Sequence, residues 1–156
     1  MIHSRRHIID QSVKATILDI LSKQTDMTIA TVREDHYPQA TTVSYVNDGL
    51  DIYFGCSTRS QKARYIARHN KVSLTVTPSY TDWNSIRGLS IGGLAERVTA
   101  PSQITMVEAL FFRKFPFVIQ YAPGDRGDLA LHRIVPKVFS VLDYTKGFGH
   151  TDQVTM

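Results

Sequence analysis

The sequence has little cysteine and no long hydrophobic run. Cys56 is the only cysteine among 156 residues, so an internal disulfide has no second partner. No stretch approaches the roughly 20 apolar residues that span a bilayer, and residues 1–6 lack the apolar run of a secretory signal. We therefore expect a protein of the reducing cytoplasm that has no membrane segment.

Patterns typical of metal sites and of nucleophilic catalysis are also missing. The histidines stand scattered at positions 3, 7, 36, 69, 132 and 150, without the paired Cys and His spacing of a metal centre. Residues 88–92 match the G-x-S-x-G pattern of serine hydrolases, but the run reads as strand on both sides of Ser90, where that pattern needs a strand turning into a helix. The sequence therefore predicts no metal site and leaves the catalytic residues unidentified.

Positive charge is concentrated in one segment. Lysine and arginine exceed aspartate and glutamate by 18 to 14, which gives a net charge of +4. Five of the cations fall between positions 59 and 71: Arg59, Lys62, Arg64, Arg68 and Lys71. Such a cluster fits an anionic partner, either a phosphorylated cofactor or a nucleic acid. Nucleic-acid binding would weaken steeply with salt.

Hydrophobic periodicity predicts alternating helices and strands in the first half of the chain. A helix is expected over residues 12–22, within an N-terminal segment 1–25, with Asp10 or Ser12 as its N-cap. Strands are expected over 27–33, 40–46 and 50–55 and would form a three-stranded meander. A short basic helix follows, capped by Ser57 or Thr58 and ended by Asn70.

The second half continues the β pattern. Strands are expected over 72–77 and 86–98, with a bulge at Gly92-Gly93, and a helix over Ile104 to Phe111. Residues 112–128 are predicted to be irregular or only briefly helical, 138–144 to be the last strand, and the tail over 145–156 to be coil. Six strands joined mainly by hairpins indicate one all-β or α+β domain over 1–156, an antiparallel barrel with helical additions.

Residues 57–62, STRSQK, are the strongest candidate site, and we call them the phosphate turn. They stand between a predicted strand end and a predicted helix start. Unpaired N–H groups of a first helical turn, the helix dipole, hydroxyls and a lysine together suit a phosphate dianion. The alternative is a well-capped surface helix with solvated charges.

A few aromatic side chains and one histidine suggest a ligand surface elsewhere. Trp83, Tyr80, Phe148 and the Phe111-Phe112 pair have the chemistry to stack on a planar ring, although core packing is the commoner use. Glycines on both sides of Phe148, just before His150, allow close approach of the backbone to a ligand. We keep Trp83 and His150 as substrate-side candidates.

Several short segments together resemble one family. They are PQATTVS (38–44), DIYF (51–54), SQK (60–62), NKVSL (70–74) and RGLSIGGLAERV (87–98). Their order and spacing are similar to those of the pyridoxamine 5'-phosphate oxidase-like family of FMN-binding split barrels. The resemblance implies a six-stranded Greek-key split β-barrel with peripheral helices and a homodimer with FMN at its interface.

The resemblance also implies a set of cofactor-binding residues. The flavin ring and ribityl chain would lie along one strand, the phosphate would bind at the phosphate turn, and Arg59 would compensate for Gln61, which stands where the family has arginine. Gly88 stands where the oxidases have glutamine. The implied residues are Thr41, Thr42, Val43, Ser44, Gly55, Cys56, Arg59, Ser60, Gln61, Lys62 and Gly88.

Two departures from the vitamin B6 oxidases bear on the substrate. Ser44 replaces the lysine that holds the substrate phosphate, and the Arg-x-His tail is absent. The expectation is therefore an FMN-dependent oxidoreductase or flavin reductase that acts on another small molecule. A non-catalytic FMN carrier or redox sensor, and a deazaflavin- or haem-binding relative on the same fold, remain alternatives. Cys56 is expected to be a small packing residue.

Overall fold

Three helices and eight strands make up the fold in the computed structural model, which describes residues 9–121 and 126–156. The helices are α1 (Gln11–Lys23), α2 (Gln61–Arg68) and α3 (Pro101–Lys114). The strands are β1 (Asp26–Val32), β2 (Pro38–Ser44), β3 (Val46–Asp48), β4 (Asp51–Ser57), β5 (Lys71–Val76), β6 (Arg87–Arg97), β7 (Leu129–Asp143) and β8 (Thr151–Thr155).

All eight strands belong to one antiparallel sheet in the order β2-β1-β5-β6-β7-β4-β3, and β8 pairs with β7. The path starts and ends on the edge strands β2 and β3, so the sheet curls without closing its hydrogen-bond ladder. The predicted split barrel with peripheral helices is confirmed. The predicted number of six strands is wrong.

Two apolar cores lie on opposite faces of the curled sheet. The larger core fills the barrel, where α1 contributes Ile17, Ile20 and Leu21 beside strand residues such as Phe54 and Ile91. The smaller core lies between the outer face of the sheet and α3, and consists of Val46, Tyr53, Val98, Val107, Phe115 and Leu131. Burial of both faces holds β4 and β7 in place, and these strands carry the candidate site.

The predicted three-stranded meander is wrong. β2 pairs with β1, whereas β4 pairs with β3 and β7. Tyr45 separates β2 from β3, is fully buried, and donates its hydroxyl to the Leu21 carbonyl (2.8 Å). Burial of this large side chain favours a corner between the two strands, which sends β3 to the opposite edge of the sheet.

Two predictions near the C-terminus are also wrong. The last long strand begins at Leu129 and not at 138, and the predicted coil tail contains β8. Pro136 lies within this strand, opposite Gly93, where the register shifts between Gly92 and Gly93. A bulge tolerates proline because a ladder hydrogen bond is already missing there. The bulge itself is confirmed.

The predicted helices are present with small shifts at their ends. Asp10 caps α1 through the N–H groups of Ser12 and Val13. The cap of α2 is Ser60, not Ser57 or Thr58, and the helix ends with His69 as its C-cap, one residue before Asn70. Segment 112–128 is only briefly helical, as predicted: it begins with the last turn of α3, followed by a 3-10 turn over Pro116–Gln120. Its residues 122–125, and residues 1–8 of the N-terminal segment, lie outside the described residues.

No helix in the described part of the chain has the length and apolar content that a bilayer span requires.

Candidate functional site

The phosphate turn joins the end of β4 to the start of α2. Ser60 fixes the turn, because its hydroxyl accepts from the N–H of Ala63 (3.1 Å) and its own N–H donates to the Ser57 carbonyl (3.0 Å). The N–H groups of Gln61 and Lys62 fall in the first turn of α2, where the helix supplies no acceptor. The positive end of the helix dipole also lies there. These groups are suitable donors for an anion.

A side-chain hydrogen bond connects this turn to β2. The Gln39 amide Nε2 donates to Gln61 Oε1 (3.1 Å), across 22 positions of sequence. β2 and the start of α2 are therefore neighbours within one chain. The family resemblance assigns both of them to the same cofactor. Lys62, the residue after Gln61, is half-buried and is the cation nearest to this junction along the chain.

β2 is an edge strand with free backbone groups on its outer side. Thr41 and Val43 are half-buried and Val43 packs against the barrel core, whereas Thr42 and Ser44 are exposed. Such an edge offers N–H and C=O groups to a ligand laid along it. The Ser44 hydroxyl donates to Asp26 Oδ1 (2.9 Å), so a carboxylate lies beside the position that the family resemblance assigns to a lysine in the vitamin B6 oxidases.

The remaining predicted residues divide between this junction and the far end of the barrel. Gly55 and Cys56 precede the phosphate turn on β4, and the half-buried Cys56 packs against the barrel core. Gly88 pairs with Leu142, whereas Ser57 pairs with Leu129. Leu129 and Leu142 lie near opposite ends of β7, so one chain does not bring Gly88 to the phosphate turn.

Asp128 is part of the site and was missed from the sequence. Its Oδ1 accepts from the hydroxyls of Ser57 (3.1 Å) and Thr58 (2.9 Å), and its Oδ2 accepts from Arg59 Nη2 (3.3 Å). These bonds, that of Thr58 foremost, hold the pKa of the Asp128 carboxyl below its usual value. Nothing in the local sequence pairs position 128 with position 58, because the contact depends on the β4–β7 register.

His132 was missed as well. Its side chain is 3% exposed and stacks on Phe54 with ring centroids 5.1 Å apart, while Nδ1 has no hydrogen-bond partner. Burial lowers the pKa of His132 to about 4, and the charges of Arg97 and Lys62 act in the same direction. The imidazole is therefore neutral at physiological pH. The last strand was predicted to begin at residue 138, so position 132 fell outside every predicted strand.

Because His132 is buried in its neutral form, we expect acid to lower the stability of the fold. Between pH 6.5 and about 4 the unfolded chain binds a proton at this histidine that the folded chain does not bind. The free energy of unfolding should therefore fall as the pH drops through this window, by about 3 kcal/mol, and the contribution of His132 should not change further below it. Urea denaturation at a series of pH values measures this loss.

The matched variant for that series is His132→Phe, which keeps an aromatic ring beside Phe54 and removes the titrating group. Its loss of stability between pH 6.5 and 4 should be smaller than that of the parent by the His132 contribution. His36→Phe, at an exposed turn, should leave the parent slope in place. Equal slopes for the parent and His132→Phe would contradict the assignment.

Trp83, Phe148 and His150 lie in a separate cluster, whereas Phe111 packs against the smaller core and stacks on Phe115. Trp83 lies 6.5 Å and Tyr144 lies 5.3 Å from Phe148, measured between ring centroids. Trp83 and Phe148 are 67% and 69% exposed. Beyond Gly149, whose φ is +83°, His150 Nε2 lies 3.0 Å from Asp152 Oδ2. The structure thus brings Trp83 and the hairpin of His150 together within one chain.

A cavity of about 540 Å³ opens beside α2, between this helix and the β1–β2 turn. Arg33 pairs with Asp35 at its rim (3.0 Å), and Arg68 pairs with Glu34. Its lining includes Arg64 but none of the predicted cofactor residues. Within the described ranges, no group of three or more His, Cys, Asp or Glu side chains has the arrangement of a metal site.

An open, curled antiparallel sheet with an edge strand beside a hydroxyl-rich helix start defines the split-barrel class. The sequence profile described as pyridoxamine 5'-phosphate oxidase matches residues 13–140, and the chain belongs to that family. No curated protein sequence matches the chain.

Solved structures agree with this fold. A haem-binding protein from Mycobacterium smegmatis is 19% identical with a TM-score of 0.80, over 95% of this chain and 60% of that one. This chain therefore spans less than two thirds of that protein. A conserved hypothetical protein from Mycobacterium tuberculosis is 26% identical with a TM-score of 0.74, over 95% and 94% of the two chains. An F420 reductase is 25% identical with a TM-score of 0.64, over 78% and 94%.

Proposed function

We propose that the chain binds FMN along β2 and at the phosphate turn, and that it works as a homodimeric oxidoreductase or flavin reductase. The observation that carries this proposal is the Gln39–Gln61 hydrogen bond of 3.1 Å. It joins a strand with free backbone groups to a helix start with free N–H donors. A ligand that bears a flat polar ring and a terminal phosphate fits both parts.

The residues at this junction suit the proposed roles. Gln61 and Lys62 would donate backbone N–H groups to the phosphate, and the Lys62 ammonium would balance its charge. The outer backbone groups at Thr41 to Ser44 would border the ring and the ribityl chain. The cofactor, when bound, supplies the redox chemistry, and the protein supplies binding and orientation.

A homodimer is supported by the openness of this site. β2 is an edge strand and none of its residues is fully buried, so one chain leaves the outer side of the strand uncovered. Gly88, which the family resemblance assigns to the cofactor, lies far from the phosphate turn of the same chain. A second copy would both cover β2 and supply that end of β6.

The substrate proposed is a small molecule other than pyridoxamine 5'-phosphate. At position 44 this chain has a serine that donates to the Asp26 carboxylate. A carboxylate there repels a substrate phosphate, whereas a lysine would attract it.

Reconstitution of the purified chain tests the proposal. Titration with FMN should give saturable binding with one FMN per chain, and sedimentation should give the mass of a dimer. Rapid bleaching of bound FMN by reduced nicotinamide, followed by reoxidation with an added acceptor, would identify an enzyme. Slow bleaching with intact FMN binding would favour a carrier or redox sensor, and failure to take up FMN would contradict both.

A second candidate is haem, or a deazaflavin such as that of the F420 reductase. The observation that favours haem is the His150–Asp152 contact of 3.0 Å beside exposed Phe148 and Trp83. A carboxylate partner commonly orients a metal-ligating histidine, and exposed aromatic rings suit a porphyrin edge. Haem uptake that is lost in His150→Ala and kept in Lys62→Ala would favour this candidate over FMN.

A further inference from the structure

The phosphate turn already holds a negatively charged group. Asp128, one residue before β7, accepts from the hydroxyls of Ser57 and Thr58 and from the Arg59 guanidinium at 3.1, 2.9 and 3.3 Å. The backbone N–H of Thr58 also donates to the Asp128 carbonyl (2.9 Å). Three side-chain donors of the turn, Arg59 among them, are therefore occupied by one carboxylate of the same chain.

We propose that Asp128 is an internal competitor for the ligand phosphate, which makes bound FMN exchangeable. The inference rests on the proposed function of the site. A phosphate would first bind the N–H groups of Gln61 and Lys62. It can accept from the hydroxyl and guanidinium donors only after these donors have broken their hydrogen bonds to Asp128. When the phosphate departs, the carboxylate takes back the two hydroxyls and the guanidinium, so these three side-chain donors stay paired.

The energetics favour such an exchange. The Arg59 side chain is 85% exposed and that of Asp128 is 35% exposed, and ion pairs at exposed positions are weak. A phosphate dianion carries more charge and more acceptor oxygens than a carboxylate, so it competes effectively for the same donors. Exchange of this kind suits a flavin reductase or a carrier, because both must release the flavin.

Replacement of Asp128 tests this competition. Asp128→Asn keeps an oxygen acceptor for Ser57 and Thr58 but removes the charge. The affinity for FMN should rise by about two- to tenfold, mainly through slower dissociation, while the affinity for riboflavin, which has no phosphate, should not change. Asp35→Asn is the matched control, since Asp35 also pairs with an exposed arginine (Arg33, 3.0 Å), lies away from the phosphate turn, and gives the same change of net charge.

The outcomes separate the two proposals. If the parent binds FMN, and if Asp128→Asn binds FMN no more tightly than the parent when riboflavin affinity is taken as the reference, the competition is overturned. The proposed FMN site is not affected by that result. FMN binding by Asp128→Asn alone supports the competition in its strongest form. Failure of every variant to bind FMN overturns both proposals. Equal thermal unfolding midpoints of the parent and Asp128→Asn confirm that the turn is still folded.

Discussion

Replacing Lys62 with alanine should lower the affinity for FMN by about ten- to a hundredfold. Lys62 follows Gln61 in the first turn of α2 and is half-buried. The Arg59 charge is already paired with Asp128, so Lys62 is the cation best placed to meet the phosphate. If Lys62 binds the phosphate as proposed, its loss removes a charge-assisted hydrogen bond from a partly buried position. Fluorescence titration with FMN measures the effect.

Two controls show whether that loss concerns the phosphate. Riboflavin affinity should be the same in the parent and in Lys62→Ala, because riboflavin has no phosphate for the lysine to bind. Lys71→Ala removes an exposed lysine from the same basic segment and should leave FMN affinity close to that of the parent. If Lys62→Ala lowers the affinities for FMN and riboflavin equally, Lys62 does not bind the phosphate.

Substituting alanine for Gly93 should destabilise the fold by about 1 to 3 kcal/mol. A Cβ atom at Gly93 would lie 2.7 Å from the Val135 carbonyl oxygen and 3.0 Å from Ile134 Cγ2. The first contact is with backbone, so β6 and β7 would have to separate at the bulge that bends the sheet. Urea denaturation should show a lower midpoint with an unchanged dependence on denaturant.

Gly92→Ala is the matched control at the adjacent position. Its Cβ would meet only Val138 Cγ1, at 3.0 Å, and the Val138 side chain is 37% exposed and has room to turn away. The expected loss is about 1 kcal/mol or less. A loss in Gly92→Ala as large as that in Gly93→Ala would mean that the two glycines matter for flexibility and not for the close approach to Val135.

The parts of the fold that local patterns specify could be predicted. Val13, Ile17 and Leu21 recur at helical spacing and form the buried face of α1. The alternation over Lys71–Val76 matches the observed burial of every second residue in β5. The Gly92-Gly93 pair predicted the bulge, because glycine is typical of positions where two backbones approach closely. Each of these features depends on a few consecutive residues.

The parts that depend on distant partners could not be predicted. β8 is a polar edge strand, TDQVT, whose pairing with β7 is its main support. β7 contains Pro136, which a strand accommodates at a bulge, and that bulge forms only where Gly93 of β6 opposes it. Asp128 meets Thr58 across 70 positions of sequence, so the competitor for the phosphate turn emerged only with the strand register.

In the candidate site, too, local features could be predicted from the sequence, and contacts between distant residues could not. The sequence located the phosphate turn and the strand beside it, and the structure brings Gln39 and Gln61 together. It did not anticipate that Arg59 is paired with Asp128, or that Gly88 lies toward the other end of β7. Because Arg59 is paired, the proposed phosphate site depends more on Lys62. Because Gly88 is distant, it depends on a second copy of the chain to supply that residue.

The most direct test of the account is the absorption spectrum of the protein as purified, with the released chromophore identified by mass. The account predicts a yellow protein that releases FMN, with lower occupancy in Lys62→Ala than in the parent. A colourless protein that takes up no added FMN, or a coloured protein whose chromophore is haem or a deazaflavin, would contradict it.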